Sequence, residues 1–307
     1  MSNIVELWEI PKAEEVFLIC GWRQWADAGS VSSGLPLYLK QEENARRIGK
    51  INDNGFYLFQ IPGTHSLVRP VVQFEDGFPK SLDVPKNEIF YYGDEKRGVV
   101  ILLGEEPHLD AERYVQAILE LSKTLNIKRI ISVAGVYGEL PHDKERMVSA
   151  IYSQATLKSE LDELAVRLSD YHGGASIGSY LCKRAADEGI EYVGLYAFVP
   201  TYDFSNIAQV LNAIRIENDF MAWHGIIRRL NHMIKINFDV SDLEEKNKKL
   251  ISTIENRIEE LESKAPQSGI RDYINRIADE FTEVSFNPLG DVWESELKRL
   301  LDEPDEE

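Results

Sequence analysis

The sequence predicts an α/β protein, and three stretches carry that expectation. In the first, the apolar run Val99-Val100-Ile101-Leu102-Leu103 is short and β-branched, as a buried strand requires. Gly104-Glu105-Glu106-Pro107 breaks it, and Asp110 opens a helical pattern with Tyr114, Ala117, Ile118, Leu121 and Leu125 on one face. A second apolar run, Ile130 to Ala134, stops at Gly135. Strand, helix, strand at this spacing is a βαβ unit, whose two strands form a parallel pair. The second stretch repeats the opening of the first: Val16 to Cys20, a loop from Gly21 to Gly29, then a helical pattern from Val31 to Leu39. The third is a helix, Ser179 to Glu188, followed by a strand, Tyr192 to Val199. Open α/β sheets gather functional groups where their parallel strands end. Any site is therefore expected in Glu105-Glu106-Pro107-His108 and in residues 135–142.

The remaining elements follow in order. Val5 to Ile10 reads as a strand, joined to the next by a turn at Pro11-Lys12. Arg46 to Phe74 reads as short strands and turns, with Asp53-Asn54-Gly55 as a turn and Phe56-Tyr57-Leu58-Phe59 as a strand fragment. Glu88 to Tyr92 is a further strand, and Val148 to Ala155 and Ser159 to Leu168 read as helices. From Ser205 the pattern is mostly helical. At Ser241 the composition shifts. Ser241-Asp242-Leu243-Glu244 is a capping-box pattern, and Leu243, Leu250, Ile254, Ile258 and Leu261 recur at near-helical spacing between charges. Tyr273, Ile274, Ile277 and Phe281 mark another amphipathic helix, and Trp293, Leu297, Leu300 and Leu301 a last one before an acidic tail. The expected division is an α/β core over 1–240 and a helical C-terminal extension over 241–307.

Composition narrows the function. A hydrophobic content of 43% supplies a core, so the chain is globular. Thirty-four basic against 52 acidic residues give a net charge of -18, which argues against nucleic acid or an anionic membrane as partner. No apolar run reaches the ~20 residues of a membrane span, and Met1 to Pro11 does not read as a signal peptide. Cys20 and Cys182 fall in apolar segments and read as free, buried thiols of a cytoplasmic protein.

The chemistry legible in the chain is thin. The six histidines show no paired ligand spacing and there is no cysteine cluster, so neither metal nor cofactor is expected. No Gly-x-Ser-x-Gly elbow is present. The loop after Cys20 has the form of an anion-binding turn, but Asp27 would repel an anion, and a helix cap is the better reading. Arg69 offers a bidentate fork for a carboxylate, or is an ordinary surface arginine. Gly173-Gly174 turns into a helix as phosphate cradles do, yet lacks both the dinucleotide fingerprint and the P-loop lysine. What remains is Glu105, Glu106, Glu139, His142 and Asp143 at strand ends, suited to acid–base work or to capping. Asp27, Glu105, Glu106 and His142 are expected in one region at the carboxyl edge of the sheet.

Several of these motifs occur in a single order: Gly21-Trp22 with Asp27-Ala28-Gly29, Arg69-Pro70, Leu103-Gly104-Glu105-Glu106-Pro107, Pro141-His142, Gly173-Gly174, and Val199-Pro200-x-Tyr202. That succession, from Val16 to Asp239, resembles the proteasome assembly chaperone family of the second chaperone type, in its uncharacterised prokaryotic branch. The resemblance implies a three-layer α/β/α sandwich like that of nucleoside phosphorylases and related hydrolases, without their established active sites. It implies a non-catalytic assembly or protein-interaction role, with proteasome-type subunits and further copies of the chain as partners. Trp22, Asp27, Arg69, Glu105, Glu106, His142, Gly173, Gly174 and Tyr202 then form the candidate ligand or partner site. Three departures stand out. The Gly-Trp loop is two residues longer, through Gln24-Trp25-Ala26. Pro141-His142-Asp143-Lys144 replaces the Pro-His-Thr-Arg of many relatives. Proteasome-binding members end in a hydrophobic-Tyr-x tail, whereas this sequence ends Pro304-Asp305-Glu306-Glu307, which weighs against direct docking. The competing reading is an enzyme of the phosphorylase or hydrolase type, holding a small ligand at the strand ends. The apolar stripe from Leu243 to Leu261 needs a cover, either its own core or a neighbour. The resemblance favours the neighbour, and so a homo-oligomer.

Overall fold

The computed structural model describes residues 4–23, 25–53, 55–60, 68–204, 213–266, 268–284 and 286. Its first half contains β1 (Val5–Leu7), β2 (Glu15–Arg23), α1 (Gly34–Glu42), β3 (Arg46–Ile51), β4 (Val71–Glu75), β5 (Phe78–Asp83), β6 (Asn87–Gly93), β7 (Arg97–Glu105), α2 (Ala111–Thr124) and β8 (Ile127–Gly138). There follow β9 (Val148–Tyr152), α3 (Lys158–Asp162), β10 (Arg167–Leu168), α4 (Ile177–Asp187), β11 (Tyr192–Tyr202), β12 (Ile214–Arg215), α5 (Phe220–Ile234), α6 (Ser241–Lys264) and α7 (Ile270–Glu280). Ten strands form one mixed sheet in the order β1-β3-β6-β7-β2-β8-β11-β9-β10, with β12 paired to β11. Its centre, β7-β2-β8-β11, is parallel throughout.

Alternating side chains on these central strands bury both faces, as a parallel sheet between two helical layers requires. On β2, Phe17 and Ile19 join one core cluster while Leu18, Cys20 and Trp22 join the other; on β7, Val99 and Ile101 part from Val100 and Leu102 in the same way. Helices α2 and α4 cover the second face, through residues such as Tyr114, Ile118, Ile177 and Leu181. Helices α1, α5, α6 and α7 cover the first. The expected three-layer α/β/α sandwich is therefore what forms.

The strand–helix–strand expectation needs one correction. β7 and β8 are parallel and joined by α2, but β2 lies between them and pairs with both. A third apolar strand from far away in sequence outcompetes the local pair for the central position, and no local pattern signals that. Val148 to Ala155, expected as a helix, contains β9, antiparallel to β11. Val148 and Ala150 are buried there in alternation, so sheet pairing overrides helical propensity. The helix expected from Ser159 to Leu168 ends at Asp162, ahead of Ala165 at φ 49° and the edge strand β10. Phe56 is not in a strand but in a turn, its ring edge-on to Tyr114 at 5.2 Å. The expectations at Ser205 and from Trp293 to Leu301 lie outside the described residues.

The C-terminal stripe is covered from within. Leu243, Ile254, Ile258 and Leu261 of α6 are buried in the same cluster as Ile19 and Val133 of the sheet, with Leu250 packed against it. Of the two expected covers, the chain's own core is the one that forms, and each such side chain gains about 1.5–3 kcal/mol by it. The cysteines are free and buried, as expected.

Candidate functional site

The loops at the carboxyl ends of β2, β7, β8 and β11 meet at one edge of the sheet. Gly21 in β2 lets the loop ahead of α1 lie directly on the strand, because a Cβ there would stand 1.8 Å from the Ser32 carbonyl oxygen. The next residue, Trp22, is buried, its backbone N–H donating to Ser32 Oγ at 2.9 Å. Its indole N–H donates to Tyr114 Oη at 2.9 Å, which donates to Asn87 Oδ1 at 2.8 Å. Asn87 Nδ2 in turn donates to Tyr57 Oη at 2.8 Å, and Tyr57 donates to the Glu105 carbonyl at 2.8 Å. Every polar group of this buried chain has a partner, which fixes the indole and the end of β7 together.

Asp27 braces the turn that leads into α1. Its carboxylate accepts from the Ser32 and Ser33 N–H groups, both at 2.9 Å, and from Ser33 Oγ at 2.7 Å, just ahead of α1. Burial nevertheless pushes its carboxyl above the usual range, against the pull of those bonds. Glu105 pairs with Arg23 at 3.1 Å. Glu106 accepts from the Ile177 N–H at 2.8 Å, at the first turn of α4, and from the Trp25 N–H. Burial raises its carboxyl too. A phosphate drawn to the α4 terminus would thus find a carboxylate already there. Gly174 has open space where a Cβ would stand, and a Cβ at Gly173 would meet the Tyr171 ring. Arg69 donates to Gln60 and stacks on Phe59 at 5.0 Å; it lies against its own loop and not against the strand-end carboxylates.

His142 corrects the expectation of one shared cluster. It is buried on the α6 side, with Nδ1 3.1 Å from Tyr202 Oη and Nε2 2.8 Å from Glu255 Oε1. Tyr202 spends its own hydrogen on the Leu140 carbonyl at 2.7 Å. Glu106 serves α4, within the core cluster on the opposite face of the sheet. The reason is β-strand parity: residues just beyond neighbouring strand ends leave toward either face, and a run ended by glycine does not say which. Sequence reasoning also passed over Arg146 and Asp219, which are 1% and 0% exposed and paired at 2.7 Å. Arg146 also donates to the carbonyls of Pro141, His142 and Lys144, and Asp219 caps α5 through the Ala222 N–H. Nothing local distinguishes them from surface charges.

Between these loops lies a cavity lined by Trp22, Trp25, Ser132, Ser176, Ile177 and Tyr196, of about 10 Å³. That is room for about one water. Trp25 of its lining is 62% exposed, and Leu109, Tyr137 and Tyr171 are exposed elsewhere on the surface, between 45% and 71%. A larger, open hollow of about 680 Å³ lies elsewhere, between α5 and the start of α6, and mixes His224, Arg228 and His232 with Asp239 and Glu244. Among the described residues no group of histidine, cysteine and carboxylate side chains is placed to hold a metal ion, and no helix is long and apolar enough to cross a membrane.

A mixed sheet layered between helices, with its strand-end loops packed shut, describes a fold class more than an activity. The sequence carries the assignment further: the chain belongs to the PAC2 family, whose profile matches residues 22–262. Solved structures agree on the fold. A proteasome-assembly chaperone homologue from Mycobacterium tuberculosis shares 20% identity at a TM-score of 0.69, covering 84% of this chain and 99% of its own. PbaA of Pyrococcus furiosus, an archaeal homologue of proteasome-assembly chaperone, shares 19% identity at a TM-score of 0.55, covering 89% and 98%. PbaB of the same organism, an archaeal proteasome activator, shares 16% identity at 0.60, covering 83% and 98%. Among curated proteins none matches the chain.

Proposed function

We propose that the chain is a non-catalytic, assembly-chaperone-like protein of the cytoplasm that binds proteasome-type subunits at the carboxyl edge of its parallel strands. One observation carries the reading: the cavity at that edge takes about one water, while Trp25, which lines it, is 62% exposed. An enzyme acting on a small molecule at this edge would need there a pocket of roughly 300–1,000 Å³ with convergent polar groups. Here the polar groups converge on one another: Glu106 on α4, Asp27 on α1, Trp22 on Tyr114. A protein-binding face needs exposed aromatic anchors within a polar rim, and exposed Trp25, Tyr137 and Tyr171 are the candidates for them. Family membership supports the same reading, as do the chaperone and activator roles of structural relatives. The test mixes the purified chain with proteasome ring subunits of its own organism and follows co-elution on size exclusion. Wild type is expected to co-elute, and the double variant Trp25→Ala, Tyr171→Ala to bind at least about tenfold more weakly. Absence of co-elution, or a double variant that binds like wild type, sinks the proposal.

A further inference from the structure

Of the four tryptophans among the described residues, three spend their indole N–H within the chain. Trp22 donates to Tyr114 Oη at 2.9 Å and Trp223 to the Gly29 carbonyl at 3.0 Å. Even Trp8, itself half exposed, donates to the Arg47 carbonyl at 3.1 Å. Trp25 does not: among the described residues no acceptor meets its indole N–H, and its ring stands in solvent. A lone exposed ring is ordinary on a protein surface. What sets this one apart is the backbone that carries it. Ala26, Gly29 and Ser30 have φ of 52°, 61° and 49°, and a non-glycine residue keeps such a left-handed conformation only where its surroundings enforce it. Here they do. The Ala26 carbonyl accepts from the Gly135 N–H at 2.8 Å, Ser30 Oγ donates to the Glu217 carbonyl at 2.7 Å, and the Glu106 N–H donates to the Arg23 carbonyl at 3.3 Å. Asp27 holds Ser32 and Ser33 as well.

We infer that Trp25 is the anchor of the partner face, and that its unused indole N–H is met by an oxygen acceptor at the floor of an apolar pocket on the partner. This names the partner's chemistry at the edge discussed above and rests on the protein-binding reading of that edge. The apolar walls follow from the ring, whose fused system is the largest apolar surface a side chain offers. The acceptor follows from the N–H. Water serves it in the free chain, but a dry pocket without an acceptor would leave it unpaired and cancel much of the gain from burying the ring. The braced loop serves the same end. A tryptophan has only two side-chain torsions to fix, and a stem that is already ordered leaves little further freedom to lose on binding. Arg23, at the base of the loop and paired with Glu105 at 3.1 Å, belongs to the polar rim that surrounds such an anchor.

Calorimetric titration with purified proteasome ring subunits tests this through an indole isostere. Benzothienylalanine in place of Trp25 keeps both fused rings and exchanges the N–H for sulfur. It is expected to bind about tenfold more weakly than wild type, and Trp25→Ala at least about thirtyfold more weakly. Trp8→Phe, which removes an indole whose N–H is already spent on Arg47, leaves the affinity unchanged. Neither Trp25 nor Trp8 belongs to a core cluster, so all three variants keep the wild-type circular dichroism and melting temperature, which confirms that each is folded. An isostere that binds like wild type while Trp25→Ala does not shows an idle N–H; it overturns the inference and leaves the binding face standing. Trp25→Ala binding like wild type removes the anchor itself. Equal losses in Trp8→Phe and in the isostere also overturn the inference, since the effect would not belong to Trp25. A wild type that binds no ring subunit sinks the protein-binding reading, and the inference with it.

Discussion

On the α4 side of the sheet, Glu106 ties the loop after β7 to backbone: it accepts N–H groups from Ile177 and Trp25, with burial raising its carboxyl. On the α6 side, the loop after β8 is fastened by charges. Arg146 pairs with the fully buried Asp219, and His142 reaches Glu255, which Arg271 also holds at 3.0 Å. Burial acts against ionisation of Glu255 too, but its bonds to Arg271 and His142 prevail and lower its pKa. The two sides carry different loads. Glu106 meets a helix that already packs on the sheet next to Cys20 and Trp22. The charged side gathers segments distant in sequence, from the loop of Asp27 to the C-terminal helices. Asp219 takes part twice, its N–H donating to the Gly29 carbonyl at 2.9 Å while its carboxylate holds Arg146.

The largest effect expected from this contrast belongs to Arg146→Ala. It leaves the Asp219 charge buried without its partner and strips three loop carbonyls of a donor. Removing one member of a buried ion pair costs about 3–5 kcal/mol. Urea unfolding measures it; a loss under about 1 kcal/mol would mean that the loop is held by something else.

How much of this was legible beforehand depends on the range of each interaction. Strands whose own side chains bury on both faces announced themselves, as Val99 to Leu103 and Ile130 to Ala134 did. So did the helix through Tyr114 and Leu121. Asp27 was readable as a local structural brace because its partners, Ser32 and Ser33, lie five and six residues away, though it does not cap a helix. His142 meets its acceptor 113 residues away and Arg146 its partner 73 away, and no local pattern encodes either distance. The β4–β5 hairpin, paired only with itself, was hidden for the opposite reason. Val71-Val72-Gln73-Phe74 reads as an ordinary apolar run, and only its isolation from the sheet makes it unusual.

A middle-sized effect is expected at His142. Its ring has a partner at each nitrogen, Tyr202 Oη at 3.1 Å on one side and Glu255 Oε1 at 2.8 Å on the other. The amide of His142→Gln does not hold its polar atoms where the two ring nitrogens sit, so one of the two contacts is lost. Glu255 is 39% exposed, so solvent screening holds the cost to about 1 kcal/mol. Its location tells more than its size. Amide exchange should quicken in α6 near Glu255 and stay unchanged in α4. Equal quickening in both would mean that the two sides are not separately fastened.

The smallest effect, and the sharpest in sign, is at Glu106. In Glu106→Gln the side-chain carbonyl still accepts from one backbone N–H, while the cost of burying a charge disappears. At neutral pH the two changes offset, leaving a difference below about 1 kcal/mol. Its pH dependence separates the two sides of the sheet. The folded pKa of Glu106 lies above the unfolded value of about 4.3, so between those values the folded state binds more protons. Wild type should therefore gain stability over Glu106→Gln as the pH falls from neutral toward the ordinary glutamate range, and lose it again on return. Glu255 runs the other way. Its folded pKa lies below the unfolded value, so its contribution is complete above about 4.3 and is lost as the pH falls through the folded pKa. The stability difference between wild type and Glu255→Gln should shrink in acid over that lower window. Unfolding free energies for both pairs, taken from neutral pH down to about 3, give two curves of opposite slope if one side is fastened by backbone and the other by charge. Curves of the same sign would mean that Glu106 has an ionic partner after all, and the contrast between the two sides would fall.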